Sequence, residues 1–260
     1  MAVRSRSFQN RWMVCQAVGV ALVCAGAMAC KGGGGGGSPS SPSGGAGGLP
    51  AGAVCRTAAS SMRSVQQFTD GTNITTTSDT TCTYNPGNND VVCSGTYTDT
   101  SLGTGTITQT TRFLSKADIV DEVAVIPPRP LSPGTTTVIA AGGASFTTTA
   151  TNTYDSQRRL MSTRTVTPIA GLAEITTTTT FNAWDTSGRP TAGSITFTPG
   201  GSNPVSYTYD NTSRTVTRNT GLNTCTVTHD QNGNMTREVC TGSQPSTTTV
   251  TINSTQQICK

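Results

Sequence analysis

Threonine alternates with apolar or aromatic residues through most of this 260-residue chain, from about Thr72 onward. The stretches 105–113, 194–198 and 205–209 show the alternation most clearly. A two-residue period rich in β-branched and aromatic residues predicts strands with one buried face. Turn-forming glycines recur every 10–15 residues, so the predicted fold class is all-β: an antiparallel β-meander of hairpins with one or two short helices.

Composition excludes several other classes of protein. A coiled coil or helical bundle needs abundant Ala, Glu, Lys and Leu, whereas this chain has only three glutamates and 52 threonines. A highly charged disordered chain is excluded because only 12% of the residues are charged. The net charge of +4 is modest, so no nucleic-acid partner is expected.

Residues 1–29 have the composition of an export signal. Arg4, Arg6 and Arg11 precede an apolar run from Met13 to Ala29, which is shorter than the roughly 20 residues of a membrane-spanning helix. The run ends in Ala27-Met28-Ala29-Cys30. This end resembles the lipobox of bacterial lipoproteins, and the resemblance implies that Cys30 is acylated and becomes the first residue of the mature chain. Ala27 departs from the more usual Leu, and ordinary signal cleavage after Ala29 stays open as an alternative.

The segment that follows Cys30 is a tether. Residues 31–50 consist of one lysine followed by Gly, Ser, Pro and Ala, with one leucine, and cannot bury apolar surface. A flexible stretch of this length reaches about 25 Å. Lys31 is not Asp, so the lipoprotein resemblance implies sorting to the outer membrane, with the membrane as partner through the lipid. Removal of the three signal arginines leaves 14 basic and 13 acidic residues, and no electrostatic argument for anionic partners survives.

Six cysteines remain after the signal peptide and Cys30 are set aside, and an even set in an exported protein predicts three disulfides. Six cysteines allow 15 pairings, among which sequence alone does not choose. Turn signals lie between Cys82 and Cys93 and between Cys225 and Cys240, which favours a bridge across each hairpin. Cys55 and Cys259 would then join the ends of the domain. The chain has no CxxC and one histidine, so no metal site and no cofactor is expected.

The second half of the chain contains four similar units. They begin at Tyr154-Asp155, Trp184-Asp185, Tyr209-Asp210 and His229-Asp230, and each continues as two residues, then Gly or a substitute, then Arg or Asn in most copies. Such a unit predicts a type I turn followed by a left-handed residue, with the aspartate bonded to turn amides. The units resemble the YD repeats of the RHS family over about residues 150–240. This resemblance implies a strand-turn-strand architecture. The four copies are too few for the hollow shell that large members build.

Two stretches interrupt the strand pattern. Residues 56–68 carry Ala, Met, Val and Gln at loosely helical spacing, and residues 115–125 predict a short helix with Ser115 as N-cap. Four prolines in 127–134 mark a connection between sub-regions. The expected organisation is a signal peptide at 1–29, a tether at 30–50, an N-terminal β sub-region at 51–126, a Pro-rich connection at 127–134 and a repeat meander at 135–260.

The sequence offers no catalytic motif. His229 stands where the repeat has an aromatic residue, which favours a packing role over that of a general base. The run that starts at Asp230 fails the spacing of a calcium loop. We therefore expect a non-catalytic lipoprotein of the cell envelope with a structural or interaction role, whose partner would be an envelope protein or polysaccharide. The alternative is a carbohydrate-binding surface module that uses Trp184, Tyr207 and Tyr209 as ligand-binding residues, and an envelope hydrolase is a remote third.

Overall fold

The chain folds into a single closed antiparallel β-barrel of 14 strands. A computed structural model describes residues 53–69, 74–122, 128, 130–168 and 174–260. Each strand pairs with the next one along the chain, and the last strand pairs with the first. The predicted all-β antiparallel meander is thereby confirmed.

The described elements comprise 14 strands and one helix. The first seven strands are β1 (Cys55–Phe68), β2 (Thr75–Asn85), β3 (Asp90–Asp99), β4 (Gly103–Arg112), β5 (Gly134–Ala141), β6 (Ala144–Tyr154) and β7 (Leu160–Thr167). The remaining seven are β8 (Ile175–Trp184), β9 (Pro190–Thr198), β10 (Ser202–Asp210), β11 (Thr215–Asn219), β12 (Asn223–His229), β13 (Met235–Gly242) and β14 (Ser246–Cys259). The helix α1 (Lys116–Asp121) lies between β4 and β5.

The up-and-down order places alternate connections at opposite ends of the barrel. One end, here called the α1 end, holds α1, the start of β1, the end of β14 and all four aromatic–Asp turns. The other connections lie at the opposite end. Strand β4 pairs with β5 from Gly105↔Ala141 to Arg112↔Gly134, so the strands on both sides of the Pro-rich connection belong to one barrel.

Alternate side chains point into the barrel, as the two-residue period requires. In β5, Thr135, Thr137, Ile139 and Ala141 are buried while the residues between them are half-buried. Many of the buried apolar residues belong to three clusters, which contain Ile119, Met62 and Ile139 respectively. Much of the outward surface consists of threonine, whose hydroxyl can face water while its β-branched body favours the strand.

The helical expectation for residues 56–68 is wrong, because they form β1. This strand pairs with β14 on one side and with β2 on the other. Three of its buried residues, Ala58, Met62 and Gln66, lie four apart, and the pairing with β14 shifts register around Ser61. A spacing of four imitates one face of a helix, so the sequence pattern was misleading here.

The helix predicted from Ser115 is present as α1. Ser115 is its N-cap, and its hydroxyl accepts a hydrogen bond from the amide of Asp118 at 3.2 Å. Residues 123–125, the end of the predicted segment, lie outside the described residues, as do the signal peptide, Cys30 and the tether. Within the part of the chain that the structure describes, no helix has the length and apolar character to cross a membrane.

Three disulfides connect the six cysteines in the pairings that the spacing favoured. Cys82–Cys93 joins β2 to β3, and Cys225–Cys240 joins β12 to β13. Cys55–Cys259 joins the first strand to the last across a sequence separation of 204. This third bridge covalently closes the barrel at the α1 end.

Candidate functional site

The Asp185 turn shows how each repeat unit is built. Its Oδ1 accepts hydrogen bonds from the amides of Ser187 and Arg189, each at 2.9 Å, and its Oδ2 accepts one from Arg189 Nε at 2.7 Å. Gly188 has φ of 77°, a left-handed conformation that costs glycine little. The carboxylate therefore caps the turn and also holds the arginine that follows it.

Two other units repeat this arrangement. Asp155 and Asp230 each accept hydrogen bonds from amides two and four residues ahead, and from the side chain of the latter residue, which is Arg159 or Asn234. The left-handed position is occupied by Arg158 in the first unit and by Gly233 in the other. Hydrogen bonds from the turn, above all from the Arg159 amide, lower the pKa of Asp155.

The Asp210 unit departs from the pattern. Its carboxylate accepts hydrogen bonds from the amides of Thr212 and Ser213 and from the Ser213 hydroxyl. The left-handed residue is Arg214, with φ of 57°, one position later than in the other units. Ser213 occupies the glycine position of the repeat, and the turn lengthens by one residue so that a different residue takes the left-handed conformation.

Successive units are locked to each other by the arginine of one and the aromatic ring of the next. The Arg159 guanidinium lies 4.6 Å from the centre of the Trp184 ring, and Trp184 Nε1 donates to the Leu160 carbonyl at 3.0 Å. Arg189 lies 4.2 Å from the centre of the Tyr209 ring, and the Tyr209 hydroxyl donates to the carbonyl of the residue after Arg189 at 2.9 Å. Guanidinium–ring stacking adds roughly 1 kcal/mol or more where it is shielded from water.

This series of contacts continues around the α1 end. The Tyr154 hydroxyl of the first unit donates to the Ser132 carbonyl at 2.8 Å. In the last unit, Asn234 Oδ1 accepts a hydrogen bond from the amide of Ala59 in β1 at 3.2 Å. The four turns therefore connect the β4–β5 segment to the first strand, which is a role in barrel closure.

Helix α1 packs over this end of the barrel, and the carboxylates of Asp118 and of its C-cap residue Glu122 are buried there. Glu122 Oε2 lies 3.6 Å from Arg56 Nη1, and both side chains are 3% exposed. The same Arg56 nitrogen donates to the Ile119 carbonyl at 2.7 Å. Arg158 pairs with Asp118, and Lys260 pairs with Asp121. Three ion pairs therefore hold α1 to β1, to the first turn and to the last residue of the chain.

Burial dominates the protonation of Glu122. Loss of water raises the pKa of this carboxyl from 4.5 to about 7, although the Arg56 charge acts in the opposite direction. The neighbouring amide of Leu131 also stabilises the carboxylate, with a hydrogen bond to Oε1 at 3.1 Å. The result is a buried carboxyl that titrates near neutral pH.

The three candidate ligand-binding rings do not form an exposed row. Trp184, Tyr207 and Tyr209 are each half-buried. Trp184 and Tyr209 belong to the contacts between repeat units, as described above. Tyr207 lies on the inward face of β10 and packs edge-on against Phe181, with ring centres 5.8 Å apart. Trp184 and Tyr209 therefore connect repeat units, whereas Tyr207 forms part of the inner wall of the barrel.

Sequence reasoning missed Arg218 on the inner wall. This residue of β11 pairs in register with Tyr207 on one side and with Cys225 on the other. Because Cys225 is buried and paired residues face the same way, the guanidinium points into the barrel. The sequence does place Val216 and Arg218 on the same face of their strand, because they lie two residues apart. Only the closed barrel shows that this face is the inner one.

The described residues contain one cluster with metal-ligand chemistry, formed by Cys225, Glu238 and Cys240, whose ligand atoms lie within 4.8 Å of one another. The two sulfurs are bonded to each other, so the cluster offers a metal ion a single carboxylate. His229 is buried, its Nδ1 lies 3.2 Å from the Arg214 carbonyl, and burial lowers its pKa. The Asp230 carboxylate accepts hydrogen bonds from Asn232 and Asn234 of its own turn rather than from the imidazole.

Comparisons with known proteins gave no match for this chain. No protein-family model, no curated protein and no solved structure matches the chain.

Proposed function

We propose that this chain is a non-catalytic lipoprotein of the cell envelope, anchored in the outer membrane by a lipid on Cys30. In this role the barrel is a structural or interaction domain held away from the bilayer by the tether at 31–50. The observation that carries the proposal is the segment Ala27-Met28-Ala29-Cys30 followed directly by a stretch composed almost entirely of Gly, Ser, Pro and Ala.

The position of the first disulfide supports this reading. The tether reaches the barrel at the start of β1, where Cys55 is bonded to Cys259 in the last strand. A force transmitted through the tether would therefore act on a strand that this disulfide links covalently to the last strand. Three disulfides also fit an oxidising compartment, where such bonds form and persist.

The carbohydrate-binding alternative loses its supporting feature, because Trp184, Tyr207 and Tyr209 do not form an exposed aromatic row. The Trp184 ring is covered by Arg159 on one side, and its polar edge is engaged with a backbone carbonyl. The Trp184 ring therefore does not offer a flat exposed platform for a sugar. The envelope hydrolase likewise gains no support from His229, whose environment is that of a packed residue.

Lipidation is tested by the intact mass of the mature protein from its bacterial host. We expect a diacyl or triacyl modification on Cys30 in the wild type, and its loss in Cys30→Ser. Cys24→Ser is the matched control, because Cys24 lies in the same apolar run behind the bulky Val23 and should leave the modification intact. A wild-type chain that begins at an unmodified Cys30 would show ordinary signal cleavage and refute the anchor.

Sorting is tested by separating inner and outer membranes on a density gradient. The wild type should fractionate with the outer membrane, and Lys31→Asp should move the lipidated protein to the inner membrane. Wild-type protein in the inner-membrane fraction would contradict the proposed location while leaving the lipid itself in place.

A further inference from the structure

The inner wall of the barrel carries an arginine that forms no ion pair with any carboxylate among the described residues. Among the described residues, the polar contact of Arg218 is limited to Cys225, with Nη2 3.6 Å from the sulfur. None of the ion pairs in the described part of the chain includes it. The side chain is half-buried, so its charge is partly withdrawn from water without being neutralised. A guanidinium in this state favours a carboxylate, which it can bind through two parallel hydrogen bonds.

Tyr207 stands beside Arg218 and provides a second donor. The two residues are direct partners in the β10–β11 register, so their side chains are neighbours on the inner face. No described residue forms a hydrogen bond with the Tyr207 hydroxyl, whereas the hydroxyls of Tyr154 and Tyr209 each have one. The ring packs against Phe181 and leaves part of its surface uncovered. A donor and an apolar ring surface therefore lie next to the guanidinium.

Two more polar groups on this side of the barrel lack partners among the described residues. They are Gln66 Nε2 and Thr248 Oγ1, which belong to residues 5% and 3% exposed. Gln66 and Thr248 are direct partners between β1 and β14. The strand pairings place Arg218, the Cys225–Cys240 bridge, Glu238 and this pair on one continuous stretch of the inner face. Unpartnered buried polar groups are uncommon in native interiors, and they mark this wall as built for more than packing.

The location allows access from one end of the barrel. Arg218 is one residue from the end of β11, at the end opposite α1. In a closed barrel, a half-buried inward side chain meets solvent through the lumen or at a barrel end. The charged cluster beneath α1 lies at the other end and is separate from this wall.

We propose that Arg218 and Tyr207 form a binding site on the inner wall for the carboxylate of a small ligand whose flat apolar body packs on the Tyr207 ring. Arg218 takes the carboxylate and Tyr207 donates to it. Glu238 limits the affinity, because its carboxylate lies within 4.8 Å of the Cys225 sulfur that Arg218 also contacts. The site therefore favours a single carboxylate over a multiply charged anion. This inference does not depend on the lipid anchor.

The test uses benzoate and its neutral isostere benzamide as probes for the full mature chain. We expect saturation-transfer NMR to show binding of benzoate at least tenfold tighter than of benzamide. Arg218→Gln should remove this preference, and Tyr207→Phe should weaken benzoate binding several-fold while keeping the ring contact. Glu238→Gln should strengthen benzoate binding.

Arg237→Gln is the matched control. Arg237 lies on β13 two strands away, but it is exposed and its neighbour in sequence Glu238 faces the opposite way. This variant should bind benzoate like the wild type. Equal loss in Arg237→Gln, no binding by the wild type, or equal binding of benzoate and benzamide would each overturn the proposal. Arg218→Lys keeps the charge in case Arg218→Gln fails to fold, and it should retain part of the preference for benzoate.

Discussion

At the residue scale, Glu122 makes the stability of the α1 end depend on pH. Its pKa is raised from 4.5 to about 7, chiefly by burial, so the folded state holds the proton more strongly than the unfolded chain. The stability that results is fully present below pH 4.5 and is lost as the pH rises through about 7. Each pH unit in this window changes the free energy of unfolding by on the order of 1 kcal/mol.

The first prediction concerns Glu122→Gln. Glutamine resembles the protonated carboxyl in shape and charge, so the variant should match the wild type near pH 5. Between pH 5 and pH 8 its melting temperature should rise relative to that of the wild type, by about 2–4 °C for each kcal/mol. Glu174→Gln is the control, because Glu174 forms an exposed pair with Arg164.

Because His229 also titrates, the melting temperatures of Glu122→Gln and of the wild type have to be compared with each other at each pH. Its pKa is lowered by burial, so its contribution to stability is present above pH 6.5 and is lost as the pH falls through the lowered pKa. The two residues therefore act in opposite directions on the wild-type curve. A melting temperature of Glu122→Gln that falls relative to the wild type at high pH would mean that the Arg56 attraction outweighs burial, contrary to our assignment.

At the element scale, the repeat turns help to keep the barrel closed, although they are connections at its end. The Asp185 carboxylate accepts three hydrogen bonds, and the arginine that it holds stacks on Tyr209 of the next unit. The Asp210 carboxylate also accepts three hydrogen bonds but holds no arginine. The two turns therefore form a natural matched pair.

We expect Asp185→Ala to lower the free energy of unfolding by about 2 kcal/mol, because it leaves turn amides unsatisfied and frees Arg189 from its stacked position. Asp210→Ala should cost less, since its carboxylate holds no arginine; Arg214 of that turn donates from Nε to the His229 carbonyl at 3.3 Å independently of Asp210. Urea unfolding at pH 7 measures both. An equal or greater loss in Asp210→Ala would show that the arginine contact contributes nothing to closure.

These elements also show what local sequence can predict. The Asp-x-x-Gly turns and the Ser115 cap were predictable because their hydrogen bonds connect residues within four positions of each other. Strand β1 was not, because three of its buried residues lie four apart and its pairing partners come from β2 and from the far end of the chain. The ion pair between Arg158 and Asp118 was also unpredictable, since the two residues lie forty positions apart in the sequence.

At the scale of the whole molecule, closure joins strands at opposite ends of the sequence. The meander predicts that neighbours pair, but no local signal states that β1 pairs with β14 rather than leaving two open edges. Closure also decides which face of each strand is interior. For this reason Arg218 and Tyr207 could not be recognised together from the sequence, although Tyr207 was a candidate on its own.

The last prediction tests closure through the disulfides. Cys55–Cys259 spans 204 residues and Cys82–Cys93 spans 11, so the chain-entropy argument assigns about 5 kcal/mol to the first and about 3 kcal/mol to the second. The double variant Cys55→Ser/Cys259→Ser should therefore unfold at a lower urea concentration than Cys82→Ser/Cys93→Ser. Hydrogen exchange should show why: amides of β1 and β14 should lose protection in the first variant, and those of the remaining strands much less. If the two variants unfold at the same urea concentration, the β1–β14 hydrogen bonds alone maintain closure, and the covalent link at the tethered end is not what holds the barrel shut.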